Sequence, residues 1–98
     1  MKIYVVISNN YDKIHDKIVQ LHNKLKGKSG ILSLGLKEYI LENCTIVKVS
    51  SERILLSKNM LKDLFPKADY IFIEGYIWGD ISEELLKEHF HNFNIIKV

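Results

Sequence analysis

Glu74 closes an apolar run, Tyr70-Ile71-Phe72-Ile73, and is followed at once by Gly75-Tyr76-Ile77-Trp78-Gly79-Asp80. A carboxylate at the end of a buried strand can hold a metal, take up a proton or anchor a ligand, because a single charge acts strongly where water is scarce. The two aromatics between glycines suit a lid over a planar ligand or a contact with another chain, and Gly75 and Gly79 offer backbone angles closed to other residues. The only arginine, Arg53, follows a second apolar run, Thr45 to Val49, and opens a helical stretch. A cation there opposes the helix dipole by about 0.3–1 kcal/mol. Its placement calls for a partner, either Glu74 as an ion pair or a bound anion.

Other chemistries fail on spacing. Gly27-Lys28-Ser29 matches the tail of a phosphate-binding loop, but His22 stands where the leading glycine belongs, and the motif follows a helix instead of joining the first strand to one. No Gly-x-Gly occurs, which removes a dinucleotide fingerprint, and no Gly-x-Ser-x-Gly elbow is present. His15 and His22 are two helical turns and about 10 Å apart along the axis, too far to share an ion, and His89 and His91 point to opposite sides of their helix. No metal or cofactor is therefore expected. Cys44 lies among apolar neighbours and reads as a small core residue. The stretch Asp69 to Gly75 is similar to the carboxylate-bearing strand of some P-loop cofactor-biosynthesis proteins, the molybdopterin-guanine dinucleotide accessory family among them. The likeness covers seven residues, and without the phosphate loop it carries no function across.

These residues need a scaffold, and hydrophobic periodicity supplies one. Lys2 to Ile7 is a β-branched strand bounded by Ser8-Asn9-Asn10. From Asp12, the residues Ile14, Ile18, Leu21 and Leu25 form one stripe of an amphipathic helix that Gly27 stops. Residues 31 to 43 read either as a short strand with a helix from Leu36 or as one helix with Leu32, Leu36, Tyr39 and Ile40 inward; the single helix with a turn is the preferred reading. Thr45 to Val49 is a strand, Glu52 to Phe65 a helix ended by Pro66, and Tyr70 to Ile73 a strand. Asp80-Ile81-Ser82-Glu83 has the spacing of a capping box with Asp80 as N-cap of a helix, and Ile95 to Val98 is a final strand. Strands that are apolar throughout and alternate with helices imply a mainly parallel sheet of four or five strands in a three-layer α/β/α fold, Rossmann-like or flavodoxin-like.

Ninety-eight residues build one domain that buries roughly 60–65 % of its unfolded surface. The composition, 47 % apolar and 27 % charged, is that of a globular chain. Thirteen lysines interspersed with twelve acids and a net charge of +2 give a solvated surface, and nucleic-acid binding is not expected. Ile3 to Ile7 is too short for a signal-peptide core and no segment approaches the ~18 apolar residues of a membrane span, so a cytoplasmic protein with no membrane partner is expected.

In open parallel sheets, ligands bind beyond the carboxyl ends of the strands. The candidate rim residues are Asn9 and Asn10; Ser50, Ser51 and Arg53; and Glu74, Gly75, Tyr76, Trp78 and Asp80. Capping alone accounts for Asn9, Asn10, Ser51 and Asp80. The expected function is a binding or interaction module that holds a small anionic ligand or a partner chain at this rim. The alternative is a compact hydrolase or transferase for a phosphorylated or nucleotide-like substrate, with Glu74 as general base and Arg53 orienting the anion. Homo-oligomerisation fits either, since the terminal strand leaves an apolar edge.

Overall fold

Residues with strong strand propensity on both sides of the pleat leave no face for water, and the chain folds accordingly. A computed structural model describes all residues from Met1 to Val98. Its five strands are β1 (Lys2–Ser8), β2 (Ser29–Ser33), β3 (Cys44–Lys48), β4 (Tyr70–Tyr76) and β5 (Asn94–Lys97). The helices are α1 (Tyr11–Leu25), α2 (Lys58–Leu64) and α3 (Glu83–His89). All pairings are parallel and the sheet order is β3-β2-β4-β1-β5. The fold is thus the expected three-layer α/β type, with β4 inserted between β1 and β2.

Alternation along the strands divides the core in two. Ile3, Val5 and Ile7 of β1 and Ile71 and Ile73 of β4 pack with Leu61, Phe65, Leu86 and Phe90 under α2 and α3. Val6, Ile31 and Phe72 face the other way and pack against Ile14 and Ile18 of α1 and against Tyr39. α1 therefore covers one face, together with the segment linking β2 to β3, and α2 and α3 cover the other. No helix is long and apolar enough to cross a membrane.

Several boundaries differ from the sequence reading. Residues 31 to 43 do not form a helix: Ile31 and Leu32 lie fully buried in β2, and residues 34–43 run as an irregular connection with Ile40 96 % exposed. The stretch from Glu52 does not continue as one helix. Ser51–Arg53 is a single 3₁₀ turn, Ile54 drops into the core, and α2 starts only after Ser57, whose hydroxyl accepts the Met60 N–H. Burial of Ile54, with Leu55 and Leu56 packed beside it, outweighs helix continuity. Asp80 is not the N-cap of α3; Ser82 is, accepting the Leu85 N–H at 3.1 Å. Gly75 needs no unusual backbone angle, since among the glycines only Gly35 and Gly79 have positive φ. It serves close approach instead: a Cβ there would lie 2.9 Å from the Val6 carbonyl oxygen.

Gly30 has the same task on β2. A methyl group at this position would stand 2.4 Å from Cδ1 and 2.5 Å from Cγ of Phe65, a fully packed ring on the α2 side. Gly30→Ala is expected to lower stability by about 1–3 kcal/mol, the usual cost of overpacking, read as a fall in the urea midpoint. Gly27→Ala, where the nearest atom is the exposed Asp69 carboxylate at 2.9 Å, is expected to cost less.

Candidate functional site: a buried carboxylate beneath an aromatic rim

Strand parity dictates where Glu74 points. Tyr70, Phe72, Glu74 and Tyr76 share the α1 face of β4, and on the neighbouring β2 the residues Ser29, Ile31 and Ser33 share it too. Glu74 is thus driven into the sheet–helix interface near the carboxyl end of the strands, and it is fully buried. The connections after β1 and β2 leave over the α1 face, whereas the one after β4 leaves over the opposite face towards α3. β4 therefore ends in the crevice between chains that diverge, the place where open α/β sheets bind ligands.

In that crevice Glu74 is already occupied. Its Oε1 accepts the Tyr11 hydroxyl at 2.5 Å, the Leu34 backbone N–H at 2.7 Å and the Ser33 hydroxyl at 3.1 Å, and its Oε2 accepts the Tyr39 hydroxyl at 2.5 Å. Four donors are the complement of a carboxylate anion. No lysine, arginine or histidine forms an ion pair with it. The donors are themselves held. Ser33 accepts the Gly35 N–H at 2.9 Å while it donates to Glu74, and the Tyr39 ring stacks on His15 of α1 with centroids 4.2 Å apart. His15 bonds the Glu38 carbonyl through Nε2 at 2.6 Å, which places the proton on that nitrogen and ties α1 to the irregular connection. Burial, followed by Glu74 itself, holds both the Tyr11 and the Tyr39 phenols well above the ordinary tyrosine range.

Above the carboxylate the aromatics climb to solvent. Tyr76 meets Tyr11 edge-on at 5.4 Å and lies parallel to Trp78 at 6.3 Å. Trp78 is 59 % exposed. It sits on a tight turn in which Trp78 and Ile81 exchange backbone hydrogen bonds of 3.1 and 3.0 Å, with Gly79 at φ +58°. The Ile77 N–H donates to the Ser8 carbonyl and fixes the base of this turn to β1. Leu36, 63 % exposed, lies near the Tyr11 hydroxyl on the same rim.

No protein-family model, no curated protein and no solved structure matches this chain. The assignment of the site thus rests on its geometry.

The structure brings together only part of the residue set proposed from sequence. Glu74, Gly75, Tyr76 and Trp78 form the centre. Asn10 caps α1, its side chain accepting the Asp12 N–H at 3.1 Å, and Asn9 is exposed beside it. Ser50 stands at the N-cap of the 3₁₀ turn without a side-chain capping bond and Ser51 is the first residue of the turn, which corrects the capping role given to Ser51. Arg53 is exposed and makes no ion pair, so the pairing with Glu74 does not form. Asp80 is likewise exposed and unpaired, in the turn beside Trp78. The donors Tyr11, Ser33, Leu34 and Tyr39 were missed. One signal was available for Ser33, a small polar residue at the end of an apolar strand on the parity that faces α1.

No group of histidine, cysteine, aspartate or glutamate side chains is placed to hold a metal ion. A hollow of about 140 Å³ lies beside the site between Ser33, Tyr39, Ile46 and Lys48. A more apolar hollow of about 290 Å³ lies at the other end of the sheet, between Cys44, Leu64, Phe65 and Ala68, remote from Glu74. There burial pushes the Cys44 thiol up to about 11, which keeps it protonated and unreactive.

Tyr39→Phe removes the only donor on Oε2 of a buried charge and is expected to cost about 1.5–3 kcal/mol, measured by urea unfolding. The raised phenols also set a pH dependence. A tyrosine whose folded value exceeds its unfolded value of about 10 stabilises the fold fully below pH 10 and loses that contribution as pH rises further. Stability should thus fall above about pH 10, and less steeply in Tyr39→Phe and Tyr11→Phe than in the wild type. Parallel slopes in all three proteins would contradict the raising of these phenols by burial and by Glu74.

Proposed function

We propose that this chain is a small interaction module, without chemistry of its own, that meets a partner chain with the aromatic rim above Glu74. The observation that carries this reading is Trp78. A large aromatic side chain on a tight turn, more than half in solvent and braced by Tyr76 and Tyr11, is costly to expose, and aromatics of this kind anchor protein interfaces.

The geometry favours a partner chain over a small anionic ligand. In folds of this class, the crevice attracts anions because backbone N–H groups and helix N-termini point into it. Here the chain supplies that anion itself: Glu74 takes the Leu34 N–H and the hydroxyl of Tyr11, the first residue of α1. A second negative charge would be repelled across a site of low polarity. The same arrangement weighs against Glu74 as a general base. It is fully buried, and the donors on both its oxygens leave it poorly placed to accept a substrate proton.

Hydroxyl-radical footprinting of Trp78 tests the reading, because the chain has a single tryptophan. Oxidation of Trp78, taken relative to the exposed Met60 of α2 in the same sample so that radical scavenging cancels, is expected to be at least about threefold slower in a concentrated cell extract or in concentrated pure protein than in dilute pure protein. Added phosphate or nucleoside triphosphate is expected to have no effect. Equal oxidation under every condition would show that the rim meets nothing, and protection by the anions alone would restore the ligand reading.

A further inference from the structure

We infer that the partner of the rim is a second copy of this chain, docked about a two-fold axis so that Arg53 of each copy lies against Trp78 and Asp80 of the other. This inference rests on the rim reading above and adds the identity of the partner. Three features left without a partner inside the monomer share the carboxyl-terminal rim. Arg53, the only arginine, is exposed and unpaired; Asp80 is exposed and unpaired; Trp78 offers an aromatic face to solvent. They are mutually complementary. A planar guanidinium can lie flat on an indole and fork to a carboxylate two residues away, which a lysine ammonium does less well.

Symmetry permits the match. Trp78 continues the parity of Glu74 and Tyr76 on the α1 side of the rim, stacked on Tyr76, whereas Arg53 lies on the path from β3 to α2 on the opposite side. A two-fold axis across the rim, tilted out of the sheet plane because Arg53 follows the edge strand β3 and Trp78 the inner strand β4, exchanges the two sides. It carries Arg53 of one copy to the side of Trp78 in the other, and the reverse contact forms at the same time, as an isologous interface requires. Leu36, exposed on the same rim, contributes apolar area to the seam. The opposite pole, at the amino ends of the strands and the end of α1, carries Lys2, Lys24, Lys26, Lys28 and Lys67 beside the acids Glu42 and Asp69, an excess of positive charge that disfavours pairing there with its own copy.

Sedimentation velocity on pure protein from about 10 µM to 1 mM, a range that captures weak dimers, tests this. A monomer–dimer equilibrium is expected, with a blue shift of Trp78 emission as the dimer fills and weaker association at high salt. Arg53→Glu and Asp80→Arg, both on exposed side chains, should each weaken the dimer at least about tenfold. The double variant carrying both changes should recover most of the loss. A monomer at all concentrations overturns the inference; the rim reading survives this if extract still protects Trp78 and falls with it if nothing does. A dimer indifferent to either charge reversal also overturns it, and assigns self-association to another surface such as the β5 edge.

Discussion

A fully buried carboxylate must be satisfied by the protein, and in this fold Glu74 dictates what surrounds it. With no cation beside it, its stabilisation comes from hydrogen bonds that cost several kcal/mol in aggregate to lose, because each unsatisfied group in a dry site keeps its desolvation penalty. Four donors supply it, and they come from the start of α1, the end of β2, the first residue beyond β2 and the middle of the following connection. The irregular segment 34–43 has no helix or strand to define its path. Its course is set where it touches Glu74, through Leu34 and Tyr39, and where His15 holds Glu38.

The same interaction explains why the segment is not helical although its apolar spacing permits it. A helix from Ile31 would withdraw Ile31 and Leu32 from the sheet, where both are fully buried between strands β3 and β4. It would also turn Ser33 and the Leu34 N–H away from the carboxylate. Tertiary burial and one buried charge thereby override a local periodicity of moderate strength. Ile40 is left 96 % exposed, a cost of a connection that has to reach Tyr39 and still return to the start of β3.

The fold class was legible in the sequence because strands buried on both faces have no alternation to hide, and α1 was legible because its stripe is regular. Glu74 was legible as a carboxylate ending an apolar run. Its environment was not. The donors lie 63, 41, 40 and 35 residues away in the chain, and their meeting depends on β4 inserting between β1 and β2, an order that periodicity does not encode. Arg53 was read as a cation in need of a partner and Asp80 as a helix cap; inside the monomer Arg53 finds no partner and the cap is Ser82. The helix starts were misplaced for a local reason: Ser57 and Ser82 are ordinary serines in sequence, and only the burial of Ile54 and the turn at Gly79 decide that they, and not Glu52 or Asp80, open their helices.

A rigid interior charge also bears on what the surface above it can do. An empty crevice at a strand end invites small anions, and its loops tend to stay mobile to admit them. A crevice filled by its own carboxylate has no such need. The hydrogen bonds of Tyr11 to Glu74 and of Ile77 to Ser8 fix the base of the 76–81 turn, so Tyr76 and Trp78 stand on a support that loses little entropy on contact with another surface. Preorganised aromatics on a fixed rim are a feature of interfaces more than of lids. On the interface reading proposed above, the residue that first suggested chemistry serves the architecture instead, holding in place the Tyr11 ring on which Tyr76 rests.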